Sequence, residues 1–211
     1  MTRYGMLIDL NKCIGCDACT VACKVANGTP AGVFWNKVTK TMTGTFPNVS
    51  SVIFPRPCMH CDDPACVAVC PTGASHKRED GIVLVDYSRC IGCKYCIAAC
   101  PYGVRTFVSE LASNYPGKSP SAVEQLGFAK LDSGVVQKCT FCYTRVEQGL
   151  QPACVQTCPG EARTFGDLDD PSSDISKMIT KLGAVQVLPE MGTNPSVYYV
   201  PSPKGATLFK K

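Results

Sequence analysis

Sixteen cysteines occur in a chain of 211 residues, far above ordinary usage. They fall into four groups of four. The first is Cys13-x2-Cys16-x2-Cys19-x3-Cys23. The second is Cys58-x2-Cys61-x4-Cys66-x3-Cys70, followed by Pro71. The third is Cys90-x2-Cys93-x2-Cys96-x3-Cys100, followed by Pro101. The fourth is Cys139-x2-Cys142-x11-Cys154-x3-Cys158, followed by Pro159. Thiols in such numbers form disulfides or bind metal. A secreted disulfide scaffold is shorter and begins with a signal peptide. Here Met1-Thr2-Arg3-Tyr4 runs straight into Met6-Leu7-Ile8, with Cys13 close behind. The spacing therefore points to metal.

The first and third runs match the bacterial ferredoxin pattern, in which three close thiolates wrap one iron–sulfur cubane and the fourth reaches its neighbour. Each corner iron of a cubane needs one thiolate, and a loop with x2 gaps curls around three corners. Gly15 and Gly92 give those loops the freedom to turn. The fourth cysteine is expected on the first turn of a helix, pointing away from its own loop, with the following proline leading the chain out. Zinc prefers separated cysteine pairs, and the fourth run taken alone suits zinc as well as iron. The C-x3-C-P ending shared by the second, third and fourth runs ties them together. The sixteen thiols then serve four [4Fe–4S] clusters with none left over.

The elements that position these loops follow from the gaps. Nineteen residues separate Cys70 from Cys90, with Gly73–His76 and Gly81–Asp86 flanking Lys77-Arg78-Glu79-Asp80. That pattern reads as a β-hairpin, so the second and third runs make one complete two-cluster module. Tyr4–Leu10 before the first run resembles Ile82–Asp86 before the third. Pro159–Phe165 after the fourth run resembles Pro71–Ala74 after the second. The first and fourth runs therefore make a second module, split across the chain. The expected fold is α+β: two nested bacterial-ferredoxin-like modules, a duplicated 2[4Fe–4S] fold, with loop inserts and a C-terminal extension. Residues 1–23 with 139–168 form the outer module, 24–57 an insert, 58–107 the inner module, 108–138 a second insert, and 169–211 the extension. Crossing the fourth cysteines assigns Cys13, Cys16, Cys19 and Cys158 to cluster 1, and Cys23, Cys139, Cys142 and Cys154 to cluster 2. Cluster 3 takes Cys58, Cys61, Cys66 and Cys100, and cluster 4 takes Cys70, Cys90, Cys93 and Cys96. A sequential pairing, first run with second and third with fourth, is the alternative.

The inserts are turn-rich, with a short helix expected over Ala122–Phe128. They either cover clusters, contact a partner or simply pack. In the tail, Asp169-Asp170-Pro171 reads as a helix start and Ile175–Leu182 as an amphipathic helix. Past Pro189 the chain reads as irregular, reaching around a partner subunit. His60 is expected behind the ligands or at the surface, and His76 in solvent. Trp35, Tyr95, Tyr102 and Tyr143 read as packing or as an electron path. Lys12, Lys94, Arg105, Lys138 and Arg145 sit near ligands, where positive charge raises a cluster's potential. A net charge of +4 without a basic block argues against nucleic-acid binding. The longest apolar runs, such as Ile82–Val85, are strand-sized, so no transmembrane segment is expected. The chain reads as soluble and as not directing its own export. G-x-G-x-x-G, P-loop and HExxH motifs are absent, and no catalytic residue is expected.

CIGCDACTVACK, CDDPACVAVCPTGA, CIGCKYCIAACPYGVR, KCTFC, PACVQTCPGEAR and FGDLDDP, nested in this order, resemble the iron–sulfur subunits of molybdopterin oxidoreductases of the dimethyl sulfoxide reductase family. The resemblance covers nearly the whole chain. Gly32-Val33-Phe34-Trp35 with Thr43-Gly44-Thr45-Phe46-Pro47 look most like the arsenate respiratory reductase small subunit. The resemblance implies a non-catalytic electron-transfer subunit in a heterodimer with a large molybdopterin catalytic subunit. It implies a membrane quinol-oxidising subunit or a soluble cytochrome as electron donor, with cluster 1 facing the catalytic subunit and cluster 4 the donor. It implies a periplasmic place, reached with a signal-bearing partner, a cytoplasmic complex being the alternative. Polysulfide, thiosulfate and tetrathionate reductases, formate dehydrogenases and a free-standing polyferredoxin are the competing functions.

Overall fold

Met6-Leu7-Ile8 lie in β1 (Tyr4–Asp9), which is buried from Gly5 onward in the computed structural model describing residues 2–203. A continuous apolar run is what a strand covered on both faces requires. β1 pairs antiparallel with β8 (Arg163–Asp167) and parallel with β9 (Val197–Val200), so it is the middle strand of a three-stranded sheet. Met6 stands opposite Phe165 and Val197, and Ile8 opposite Arg163 and Tyr199. Strand alternation then sorts the two faces. Met6, Ile8, Phe165, Val197 and Tyr199 join the main core, which also holds Cys19, Cys23, Cys58, Cys139 and Cys154. Leu7 and Val200 meet Ile175 of α7 (Asp174–Leu182) on the other face. The sheet needs Gly5, because a Cβ there would meet Leu168 at 2.5 Å and the Ser196 carbonyl oxygen at 2.7 Å.

Three antiparallel hairpins complete the strands: β2 (Lys37–Thr43) with β3 (Ser50–Arg56), β4 (Ser75–Lys77) with β5 (Val83–Val85), and β6 (Thr106–Val108) with β7 (Val135–Gln137). The hairpin expected between Cys70 and Cys90 is β4–β5, with Ser75 opposite Val85. β8 follows Cys158 and β1 precedes Cys13, and these two strands pair antiparallel as β4 and β5 do. The first insert, expected to be turn-rich, carries the whole β2–β3 hairpin.

Short helices carry the cysteines: α1 (Ala18–Asn27), α2 (Ala65–Ala68), α3 (Tyr95–Ala98) and α6 (Ala153–Gln156), while α5 (Tyr143–Val146) follows Cys142. α1 packs on α6, and α2 on α3. Pro71, Pro101 and Pro159 stop their helical turns, because the residue before proline avoids helical backbone. Lys24 stands at the equivalent place after Cys23, so α1 runs on until Gly28 caps it with φ 63°. The fourth cysteine was expected on a helix's first turn. Instead the third cysteine, Cys66, Cys96 or Cys154, rides the short turn and the fourth lies just past its end. Only in α1 do both Cys19 and Cys23 lie within the helix. No helix among the described residues is long and apolar enough to cross a membrane.

The helix expected over Ala122–Phe128 is α4, begun by a capping box. Ser121 Oγ accepts from the Glu124 backbone N–H, and the Glu124 carboxylate accepts from the backbone N–H groups of Asn114 at 2.6 Å and Ser121 at 2.8 Å. These donors, the Asn114 N–H first, hold the Glu124 carboxyl at about 2, below its usual 4.5. A pKa lowered by folding contributes stability that is full above the unfolded value and lost as pH falls through the folded one. Amide exchange of the 113–128 segment is therefore expected to be slower in the wild type than in Glu124→Gln above pH about 4.5. That difference should close as pH approaches about 2. An identical exchange rate in both proteins at neutral pH would remove Glu124 from this role. α4 meets α1 where a Cβ on Gly28 would lie 2.3 Å from the Gly127 Cα.

The chain past Pro189, expected to be irregular, contains β9. Tyr199 in it is fully buried, donates its hydroxyl to the Pro55 carbonyl oxygen at 2.9 Å, and packs on Phe54 at 4.8 Å. Ser196–Val200 carries β-favouring residues, yet a parallel partner at the opposite end of the chain leaves no local trace in the sequence. The tail expected to reach a partner thus completes the chain's own sheet, and residues 204–211 of that expected extension lie outside the described residues.

Candidate metal centres

Each loop turns at the second residue after its first cysteine. Gly15, His60, Gly92 and Phe141 all have positive φ, 69°, 43°, 67° and 53°. Such a turn lets neighbouring backbone N–H groups converge on one side, a concavity suited to negative charge. The Phe141 N–H points at Cys139 Sγ at 3.5 Å. The Ser75 and Ala162 N–H groups reach Cys70 Sγ and Cys158 Sγ, each at 3.3 Å. Glycine makes this backbone cheap in the first and third loops. In the other two, His60 and Phe141 stack on each other with ring centroids 3.7 Å apart, both buried. The mutual stack holds two side chains in backbone conformations they rarely adopt. His60, expected behind the ligands or at the surface, is interior, and its Nδ1 accepts from the Val83 N–H at 3.1 Å.

The thiols gather as follows. Cys13, Cys16, Cys19 and Cys158 line one cavity. Cys70, Cys90, Cys93 and Cys96 line another. The thiols that act most strongly on Cys23 are those of Cys139, Cys154 and Cys142. Those acting on Cys61 belong to Cys58, Cys66 and Cys100. Burial first, and neighbouring thiolates second, push the Cys61 thiol up to about 12 and raise those of Cys23 and Cys139 well above the usual range. Four thiolates cannot share such a dry space unless metal charge offsets them.

Three buried cations lie among the thiols. Arg163 directs Nη2 to Cys19 Sγ at 3.5 Å, Nη1 to Cys154 Sγ at 3.7 Å, and Nη2 also to Asn36 Oδ1 at 3.0 Å. Burial works against its charge, but the thiolates of Cys154 and Cys19 outweigh it and raise its pKa. Arg105 donates to Cys66 Sγ at 2.8 Å and to Ser75 Oγ at 2.9 Å. Lys138 donates to the carbonyl oxygens of Val83 and of Cys139, the latter at 2.8 Å. Of the charges expected near ligands, Arg105 and Lys138 are buried there. Lys12 lines the cavity of Cys13. Lys94 lies over the Phe107 ring, and Arg145 bonds Gln151 and Gln156. Arg163, the best-placed cation, was missed, although it stands five residues after Cys158 as Arg105 does after Cys100. Tyr102 bonds Thr193 and Trp35 bonds Gln137, so both buried rings have satisfied polar ends.

The donor set suits iron–sulfur clusters. Arg105 Nε is buried beside the Cys66 thiol without a partner among the described residues, as an N–H facing a sulfide-bearing cluster would be. Among the described residues no three His, Cys, Asp or Glu close on a point as one metal ion demands. Cluster ligands, one per iron, stand further apart than those of a single zinc.

A 4Fe-4S dicluster domain family matches residues 49–114 and 125–168, and a second family of the same description matches residues 12–74. The chain belongs to the 4Fe-4S dicluster proteins. Two dicluster matches give four [4Fe–4S] clusters, and the sequence holds sixteen cysteines, the number that four thiolates for each cluster would take. This dicluster protein is similar to a putative dimethyl sulfoxide reductase iron–sulfur subunit of Halobacterium salinarum, 45% identical over 95% of this chain and 79% of the relative. It is 42% identical to the arsenate respiratory reductase iron–sulfur subunit of a Shewanella species over 95% of this chain and 97% of the relative. It is 45% identical to a tetrathionate reductase subunit of Salmonella typhimurium over 94% of this chain and 72% of the relative.

Proposed function

We propose that this dicluster protein is a non-catalytic electron-transfer subunit of a molybdopterin-containing anaerobic reductase, with arsenate-type chemistry favoured. The single observation that carries the reading is how burial is distributed among the thiols. Cys16 and Cys93 are exposed, flanked by Ile14 and Ile91, each about two-thirds exposed, while Cys23, Cys139, Cys142 and Cys154 are buried. Two quartets that each bring a thiol to the surface, with a dry quartet around Cys23, suit a relay that takes electrons in at one exposed site and gives them out at the other. When bound, each cluster takes up and releases one electron. The chain's own part is to hold the thiols, exclude water from the middle sites and place N–H groups and cations against the ligands.

The cross-paired assignment of the four clusters belongs to this reading. It is supported by the two cavities, each lined by three cysteines of one run and the fourth of another, and by the thiols around Cys23 and Cys61. The nested duplication is supported by β8 and β1 pairing across the sequence as β4 and β5 pair within it. On this basis residues 1–23 with 139–168 form the outer module and 58–107 the inner one. Cluster 1 faces a large catalytic subunit and cluster 4 a quinol-oxidising membrane protein or soluble cytochrome, in a periplasmic complex. Tetrathionate-type reduction is the second reading, favoured by the 45% identity to that relative.

Co-expression with a large molybdopterin partner tests the function. The expected result is a stable one-to-one complex in which the reduced dicluster protein is reoxidised by substrate only through the partner. Substrate turnover by the isolated chain, or a chain that stays apart from every such partner, overturns the reading.

A further inference from the structure

Arg105 and Arg163 each stand five residues after the fourth cysteine of a run, in the sequences Cys100-Pro101-x3-Arg105 and Cys158-Pro159-x3-Arg163. Both guanidiniums are at least nine-tenths buried. Each reaches two thiols, and the pairs correspond. Arg163 bonds Cys154, the third cysteine of its own run, and Cys19, the third cysteine of the first run. Arg105 bonds Cys66, the third cysteine of the second run, and lies within bonding reach of Cys96, the third cysteine of its own. The remaining bonds correspond only loosely. Arg105 donates to Ser75 Oγ and Arg163 to Asn36 Oδ1.

We propose that each arginine is a charge bridge between the two clusters of one module, holding both midpoint potentials up together. The inference rests on the reading of the cysteine quartets as cluster sites and on the nested pairing, in which the first and fourth runs share one module and the second and third the other. Cys19 and Cys154, and likewise Cys66 and Cys96, then ligate different clusters of the same module. Arginine suits the task because its charge is permanent and its planar fork offers donors to two acceptors at once. A fixed positive charge in a dry site favours the more negative, reduced state of any cluster it faces. One cation touching ligands of two clusters therefore acts on both, and leaves the other module alone.

Potentiometric titration of the anaerobically purified full chain, followed by EPR, tests this. Arg163→Gln is expected to retain four clusters by iron and sulfide content. Two midpoints should fall, each by at least tenfold in the one-electron reduction equilibrium, ~59 mV, with the other two unmoved. Arg105→Gln should move the complementary two. Arg163→Lys, which restores the charge without the fork, should bring back part of the shift. If Arg163→Gln binds fewer clusters, Arg163→Lys carries the test alone, with two displaced midpoints and two unmoved ones expected. Movement of only one midpoint, of all four alike, or of none overturns the charge bridge. A chain that holds no iron at all overturns the cluster reading instead.

Discussion

Cys23→Ser is expected to abolish the cluster of the fourth run and to spare the cluster of the run that Cys23 itself closes. Cys19 and Cys23 both lie in α1, one helical turn apart, so two ligands on one helix can serve two neighbouring sites. The thiols that act most strongly on Cys23 are Cys139, Cys154 and Cys142, all from the fourth run. Asn27 donates to the Cys23 Sγ at 3.6 Å and lies 4.0 Å from the Cys142 Sγ, within one small pocket of polar contacts. Serine is a poor iron ligand at a buried site, so the incomplete cluster should be lost or reduced to fewer irons. Iron content is expected to fall from about sixteen toward about twelve per chain. The EPR signal that disappears should be the one lost in Cys142→Ser and should differ from the one lost in Cys16→Ser. A common loss in Cys23→Ser and Cys61→Ser would instead establish the sequential pairing of runs.

Tyr199→Ala is expected to be the most damaging change outside the cysteines. Its ring is fully buried against Phe54, and its hydroxyl serves the Pro55 carbonyl oxygen. Through β9 it also joins the C-terminal segment to β1, which leads into Cys13. Truncating a large buried aromatic side chain costs about 3–5 kcal/mol, a large share of a domain's net stability. Tyr199→Phe removes only the hydroxyl and should cost about 0.5–1.5 kcal/mol. Denaturant unfolding of the anaerobic protein, followed by cluster absorbance, should rank wild type above Tyr199→Phe and both above Tyr199→Ala. Equal midpoints in all three would mean that β9 does not belong to the core.

The features legible in the sequence are those written locally. Four cysteine loops, the β4–β5 hairpin, α4 and the amphipathic α7 each carry their signal within about twenty residues or fewer. Even the pairing of β8 with β1 left a trace, because both segments repeat the pattern around the second and third runs. β9 left none, since its ladder partner β1 lies at the opposite end of the chain. His60 and Phe141 were hidden for a different reason. The loops demand a left-handed residue at their position, and glycine announces that demand while a stacked aromatic pair conceals it. Arg163 was within reach: the repeated C-P-x3-R spacing marks it beside Arg105, but its contact with Cys19 spans 144 residues. The third cysteine, rather than the fourth, rides each short helix because the proline after the fourth forbids helical backbone there, a consequence that the spacing alone contained.

Native mass spectrometry of the anaerobically purified chain, with iron and acid-labile sulfide determined on the same sample, bears most directly on the four-cluster account. The expected result is a mass increase of four Fe4S4 units over the polypeptide, about sixteen irons and about sixteen sulfides per chain. Bound zinc in place of iron, or a fully folded chain that carries two clusters or fewer, would contradict it.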